Sequence, residues 1–225
     1  MTATAFVPTT SPGDLLESGL AQMGLALDLA MQKELLRYVV LLDKWNQVYN
    51  LTAVREPERM IGLHILDSLS VLPQIATSRR VLDVGTGGGL PGVPLAIVLG
   101  ASARSLRITM LDTVAKKTTF VRHVIGELGL TNAEVVTERV EQYQPSQHFD
   151  VVISRAFAEL KDFVEGAGHL CAEGGRMLAM KGVYPFDEIS RLPASFVVEE
   201  VIPLCVPQVD GQRHLVVIKK PQEKK

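Results

Sequence analysis

Cysteine is scarce in this chain: its 225 residues include two, Cys171 and Cys205. Two thiols cannot build the multi-bridge framework of a small secreted domain, and no CxxC or His/Cys cluster suggests a zinc site. The expectation is a reducing, cytoplasmic setting and no metal. Long apolar runs are also missing. The longest, Val93 to Gly100, is far short of the ~20 residues a spanning helix needs, so no membrane association is expected. The first ten residues lack a basic segment followed by an apolar one, so no secretory signal is expected. Charge of one sign is not in excess either: 23 basic and 25 acidic residues leave a net charge of −2. That balance excludes a nucleic-acid binder working by bulk charge, though it leaves room for a local basic patch. Internal repeats and low-complexity tracts are absent.

What is present suits one large domain, or one domain with a short appendage. Apolar residues make up 47% and charged residues 21%, and a chain of this length buries about 70–75% of its unfolded surface without staples. Residues 1–12 and 221–225 are expected to be flexible tails. Residues 13–76 are expected to form a helical cap. Within it, one helix runs from the N-cap Asp28 to Asn50, with Leu35, Val39 and Leu42 on one spacing and Tyr38, Leu42, Trp45 and Tyr49 on another. A second helix follows Pro57, with Met60, Ile61, His64, Ile65 and Leu69 along one stripe. Trp45 and Tyr49 suit either base stacking or core packing, and core is the commoner use at this spacing.

From Arg80 the rhythm becomes strand, turn, helix. Strands are expected at 81–84, 107–111, 134–137, 149–154 and 176–180, with helices at 94–99, 116–128 and 160–170. Cys171 is expected in a helix, and Cys205 in a strand or at its end. Two final strands, around 196–204 and 214–219, have no crossover helix between them. The prediction over residues 77–220 is therefore an α/β fold: a seven-stranded, mostly parallel sheet with an antiparallel terminal strand.

The stretch Asp83-Val84-Gly85-Thr86-Gly87-Gly88-Gly89-Leu90-Pro91-Gly92 carries most of the chemistry. Glycines after a first strand let the backbone approach a ligand closely. Gly87, Gly89 and Gly92 fit the GxGxxG dinucleotide pattern. Asp83, Gly85, Gly87 and Gly89 fit the acid-x-Gly-x-Gly-x-Gly frame of Rossmann-like folds that bind S-adenosylmethionine, where an acid suits the positive methionyl end. An acid at the strand end would repel a pyrophosphate, which favours the second frame. A ligand-free turn would not explain so many glycines. Asp112 ends the next strand, where a carboxylate accepts ribose hydroxyls from either ligand or caps the following helix. Arg139, Val140 and Glu141 follow the third strand, a position that frames adenine.

Motifs for nucleophilic or metal-assisted chemistry are missing, including GxSxG, HExxH and an Asn-Pro-Pro-Tyr type. The strand ends carry cations: Arg155 after the fourth and Lys181 after the fifth. They suit a nucleic-acid acceptor, or simply carboxylate pairing and solvation. Arg55, Arg59, His64, Lys116, Lys117, Arg139 and Arg213 are further basic candidates for the same rim. His64 and Asp67, three apart, suit an acid–base unit or, more commonly, a structural pair.

Together these motifs resemble the bacterial small-subunit ribosomal RNA guanine-N7 methyltransferase family, also called glucose-inhibited division protein B. The resembling stretches are Trp45-Asn46 through Tyr49-Asn50-Leu51-Thr52, His64-Ile65-Leu66-Asp67-Ser68, the Asp83–Gly87 turn with Leu90-Pro91-Gly92, and Leu111-Asp112. Ser154-Arg155-Ala156, Lys181-Gly182 and Arg213-His214-Leu215-Val216 complete the set, in order over nearly the whole chain. One departure is Gly88, where many members have proline. The resemblance implies methylation of N7 of one guanine in 16S rRNA near the decoding centre, with S-adenosylmethionine as cofactor. It implies that Gly85 and Leu90 line the methionine end, Asp112 holds the ribose, and Val140 and Glu141 border the adenine, with Asp83, Thr86 and Gly87 also among the cofactor-binding residues. Arg155 then sits where cofactor and RNA meet, and Arg155 and Lys181 act by position and charge, with no acid–base residue. Arg139, Lys116, Arg213 and His64 are the RNA-binding candidates, and the small ribosomal subunit is the partner of a protein expected to be a monomer. A nicotinamide-dependent oxidoreductase and a non-catalytic ribosome-assembly factor are the competing readings.

Overall fold

In a computed structural model of the chain, the described residues are 11–100, 106–155, 157 and 159–221. The expected tails at 1–10 and 222–225 lie outside them, but residues 11 and 12 do not belong to a tail. Ser11 caps helix α1 (Pro12–Gln22): its hydroxyl accepts from the Asp14 amide while the Asp14 carboxylate accepts from the Ser11 amide. This reciprocal capping box satisfies two otherwise orphaned groups and moves the boundary two residues forward.

Helix α2 (Leu29–Tyr49) starts at Asp28, whose Oδ1 accepts from the Met31 amide at 2.8 Å. It ends at Asn50, which adopts the left-handed conformation at φ 50°, as helix stops commonly do. The stripe of Leu35, Tyr38, Val39 and Leu42 is buried as its spacing predicts. The helix expected after Pro57 is not uniform. A short α3 (Pro57–Met60) passes into a π-helical stretch at Ile61–Leu66, then α4 (Asp67–Leu69) and α5 (Leu72–Ile75).

The remaining elements alternate: β1 (Arg80–Val84), α6 (Gly92–Gly100), β2 (Arg107–Asp112), α7 (Ala115–Glu127), β3 (Ala133–Thr137), β4 (Phe149–Ser154) and α8 (Leu160–Ala167). They end with β5 (Cys171–Lys181), α9 (Phe186–Ser190), β6 (Val197–Pro203) and β7 (His214–Lys219). The seven strands form one sheet in the order β3-β2-β1-β4-β5-β7-β6. Strands β1 to β5 pair in parallel. Strand β7 runs antiparallel to both neighbours, β5 and β6, so it lies one place in from the edge. Cys171 stands in β5 opposite Phe149, against the expected helical position. Helix α8 ends at Ala167, a single 3-10 turn spans Gly168–Leu170, and the backbone becomes extended at Cys171.

Period-two alternation sends neighbouring residues to opposite faces. Val81, Val151, Ile153 and Leu178 pack on the side of α2, α6 and α7, with Leu35, Val93 and Phe120. Leu82, Val152, Met177 and Ile218 pack on the side of α8, with Phe163 and Val164. The N-terminal helices enter the first of these cores through Leu16, Leu35, Ile61 and Leu66. Fully burying such side chains contributes about 1.5–3 kcal/mol each, so the cap is joined to the sheet by shared core. Trp45 joins it as well, its ring 5.4 Å from that of Phe120. Among the described residues, no helix is long and apolar enough to cross a membrane, and no group of three His, Cys, Asp or Glu is arranged to hold a metal ion.

Candidate active site

Strand β1 delivers Asp83 to the turn, and the structure places it differently from expectation. The side chain is fully buried and lines none of the cavities described below. Its Oδ2 accepts from Thr86 Oγ1 at 2.6 Å and from the Gly92 amide at 2.8 Å. The carboxylate thus ties the two ends of the turn together from beneath. Burial pushes its pKa up from 3.8 to about 6, against the pull of those two hydrogen bonds. Gly92 permits the close approach: a Cβ there would lie 2.5 Å from Met110 Cγ and 2.8 Å from Asp83 Oδ2.

Asp112, at the end of β2, organises the other side of the turn. Its Oδ2 accepts from the Gly87 amide at 2.9 Å and its Oδ1 from the Val114 amide at 2.9 Å. Gly87 presents that amide from φ 58°, a conformation costly for a residue with a Cβ. Helix α2 buttresses the turn from outside, where the buried Tyr38 hydroxyl donates to the Gly88 carbonyl at 2.7 Å.

Three cavities follow one another along the carboxyl ends of the parallel strands, the usual ligand crevice of such sheets. The first, about 320 Å³, is lined by Gly85, Asp112, Glu138, Arg139, Val140 and Glu141, with Phe157 on its wall. The second, about 220 Å³, shares Gly85 and is lined by Leu42, Leu51, Thr52, Thr86, Gly87, Leu90 and Arg155. Lys117 borders both of these. The third, about 330 Å³, shares Arg155 and adds Asp67, Lys181, Arg213 and His214.

Both strand-end cations are paired with carboxylates. Arg155 Nη1 donates to the Leu63 carbonyl at 3.0 Å and lies 3.3 Å from Asp67 Oδ2. Lys181 Nζ lies 2.7 Å from Glu188 Oε2 and donates to the Phe157 carbonyl at 3.2 Å. Glu188 also accepts from the Leu160 amide at 2.8 Å, so α9 joins Lys181 to the start of α8. Of the RNA-binding candidates, Arg213 alone joins Arg155 and Lys181. Arg139 is exposed beside the first cavity. Lys116 is exposed on α7 and lines none of the three; its neighbour Lys117 takes the position beside them.

His64 is a correction. It is 5% exposed, and its Nε2 lies 2.9 Å from Thr52 Oγ1. Burial, reinforced by the charge of Arg155, lowers its pKa to about 4, so it is neutral at pH 7 and unavailable as a cationic RNA contact. It does not pair with Asp67 either. The i→i+5 turns of the π-helical stretch move positions three apart off a common face.

The loop after α2 has a role that periodicity did not reveal. Asn46, 1% exposed, donates to the Val54 carbonyl at 3.0 Å and accepts from the Thr52 amide at 2.9 Å. With His64 it fixes Leu51 and Thr52 as a wall of the second cavity. The Asn-x-x-x-Asn-Leu-Thr run was visible, but its bonds span up to twelve residues.

Helices on both faces of a sheet in this order, with a glycine turn after β1 and an acid ending β2, define a Rossmann-like fold of the kind that solved methyltransferases have. Solved structures share the fold. An O-methyltransferase from Bacillus cereus in complex with SAH has a TM-score of 0.57 at 17% identity, covering 92% of this chain and 100% of that one. TomG from Streptomyces achromogenes, in complex with SAM, has a TM-score of 0.57 at 14% identity, covering 92% of this chain and 96% of that one.

A family model described as rRNA small subunit methyltransferase G, GidB, matches residues 31–216. Proteins named ribosomal RNA small subunit methyltransferase G from Chromobacterium violaceum and Laribacter hongkongensis are 53% and 55% identical over 201 residues. These cover 89% of this chain and 94% and 95% of theirs. The chain belongs to the rRNA small subunit methyltransferase G family. The oxidoreductase and the non-catalytic assembly factor give way to this finding.

Proposed function

We propose that this protein transfers the methyl group of S-adenosylmethionine to N7 of one guanine in 16S rRNA near the decoding centre, by direct in-line attack. The observation that supports the reading is the sharing of Arg155 between the second cavity, walled by the glycine turn, and the third, which holds the other cations. The residues present suit the donor. The carboxylates of Asp112, Glu138 and Glu141 and the apolar side chains of Val84, Leu111, Val140 and Phe157 line the first cavity together with Lys117 and Arg139, and the mix of carboxylates and apolar walls fits a ribose and a flat base. Bound there, the donor supplies an electrophilic methyl group on a sulfonium.

In this reading Asp112 holds the ribose, Val140 and Glu141 border the adenine, and Gly85, Thr86, Gly87 and Leu90 shape the methionine end. Asp83 acts from below by holding the turn closed. Guanine N7 has an in-plane lone pair and no proton, so the protein's task is alignment rather than proton removal. Holding the reacting atoms about 3–3.5 Å apart and in line is worth roughly 7–11 kcal/mol. The dispersal of His64 and Asp67 to separate partners agrees with a reaction that needs no base. The ring becomes cationic in the product, so Arg155 and Lys181 serve O6 or phosphate oxygens rather than the ring face. The near-neutral net charge of −2 then limits non-specific RNA binding.

Reverse-transcription mapping of N7-methylguanosine in 16S rRNA, from cells with and without this gene, tests the reading. One site lost with the gene is expected; an unchanged map refutes it. The variant Arg155→Ala is expected to lower methyl transfer at least tenfold with the fold retained. Near-wild-type turnover of a radiolabelled methyl group would remove Arg155 from the machinery.

A further inference from the structure

Asp67 has no part in the mechanism so far, yet it is a buried carboxylate residue, 4% exposed. Its carboxylate lies between two guanidinium groups brought together from opposite ends of the C-terminal half. Oδ2 is 3.3 Å from Nη1 of Arg155, which follows β4. Oδ1 is 3.3 Å from Nε of Arg213, which precedes β7. Arg155 Nη1 is further held by the Leu63 carbonyl, and Arg213 Nη1 donates to the Gln212 carbonyl at 2.8 Å. Among the described residues, Nη2 of neither arginine has a hydrogen bond to protein. Both arginines line the third cavity. Two like charges so close in a half-buried site repel, and a buried carboxylate between them removes that repulsion and sets their spacing.

We propose that Asp67 is a positioning residue: it holds Arg155 and Arg213 as one two-pronged donor that grips an acceptor oxygen of the RNA beside the target base. The inference rests on the RNA-methylating reading above. A guanidinium pair binds a phosphodiester oxygen or a base carbonyl by the same chemistry, and the salt dependence of binding separates the two.

The test is filter binding of small ribosomal subunits to the full-length protein over a series of salt concentrations, with melting temperatures measured alongside. Asp67→Asn keeps the shape and removes the charge. It is expected to weaken binding at least fivefold, with Asp67→Glu recovering part of the loss. Arg213→Ala is expected to weaken binding to a similar degree. The double variant should lose clearly less than the product of the two single losses, because part of the effect of Asp67 acts through Arg213 and the rest through Arg155. Multiplied losses in the double variant, or wild-type binding by Asp67→Asn, overturn the proposal. If Asp67→Asn does not fold, Arg213→Lys carries the test. A lysine cannot face Asp67 and the RNA at once, so it should bind as weakly as Arg213→Ala, and wild-type binding would refute the pairing. For a phosphate partner, Arg213→Ala lowers the slope of log Kd against log salt by about 0.7; for a base carbonyl the slope is unchanged and the affinity loss remains. Binding is read without catalysis, so failure of the N7 assignment leaves this outcome distinct.

Discussion

Asp83→Asn is the substitution whose consequence follows most directly from the structure. Thr86 Oγ1 and the Gly92 amide both donate to Oδ2 of Asp83, and an asparagine with its Oδ1 in that place accepts both. The second oxygen, Oδ1, is buried without a hydrogen-bond partner, so the native carboxylate holds a charge that its surroundings only half compensate. Burial raises the pKa from 3.8 to about 6. At about 1.4 kcal/mol per pKa unit, ionised Asp83 costs the folded state about 3 kcal/mol at neutral pH. Because the folded-state pKa lies above the unfolded one, the penalty is fully present above pH 6. It shrinks as pH falls through 6 and is gone below 3.8. At pH 5 it has fallen to roughly half. Asparagine carries no such pH dependence, and its unpartnered amide costs about 1–3 kcal/mol at any pH. The expected outcome is a variant as stable as wild type or up to about 2 kcal/mol more stable at pH 7.5. Relative to wild type it should lose more than 1 kcal/mol of that standing by pH 5. Equilibrium unfolding in urea at pH 5, 6, 7 and 7.5, with the two proteins side by side, measures this. A variant destabilised by the same amount at every pH would refute the reasoning, because it would show the charge to be compensated in the fold.

Three further outcomes follow from named contacts. Gly92→Ala places a Cβ 2.5 Å from Met110 Cγ and is expected to cost about 1–3 kcal/mol through overpacking, read as a lower urea midpoint. Asn46→Ala strips Val54 and Thr52 of their partners. It should cost about 1–3 kcal/mol and, by loosening Leu51 and Thr52, weaken S-adenosylmethionine binding measured by calorimetry. Burial pushes the Cys171 thiol up to about 11 whereas Cys205 is exposed. Iodoacetamide at pH 7.5 should therefore modify the native protein at Cys205 only, a result that peptide mapping by mass spectrometry checks.

Much of the site was legible because its requirements are local. Gly85 and Gly87 stand at positive φ, Asp112 reaches a turn amide and the start of α7, and each demand is met within a strand–turn–helix unit. The strands showed as short apolar runs for the same reason, although α1 escaped periodicity and its capped start at Ser11 and Pro12 fell within the expected tail. Side chains whose partners lie far along the chain were not legible. His64, expected at the cationic rim, is neutral because it is buried. Asp83, expected against the ligand, ties the turn from beneath through Thr86 and Gly92.

Fold class, the order of elements, the glycine turn and the family membership implied by the ordered motifs can all be read along the chain. Those features depend on backbone preference and on which faces are apolar, and both are written into neighbouring residues. Which cations face one cavity depends on how the elements pack. Asp67, Arg155 and Arg213 belong to segments with no periodic relation, and they meet because β4, β5 and β7 lie side by side. Charges act through space, so their partners are set by how the sheet orders its strands.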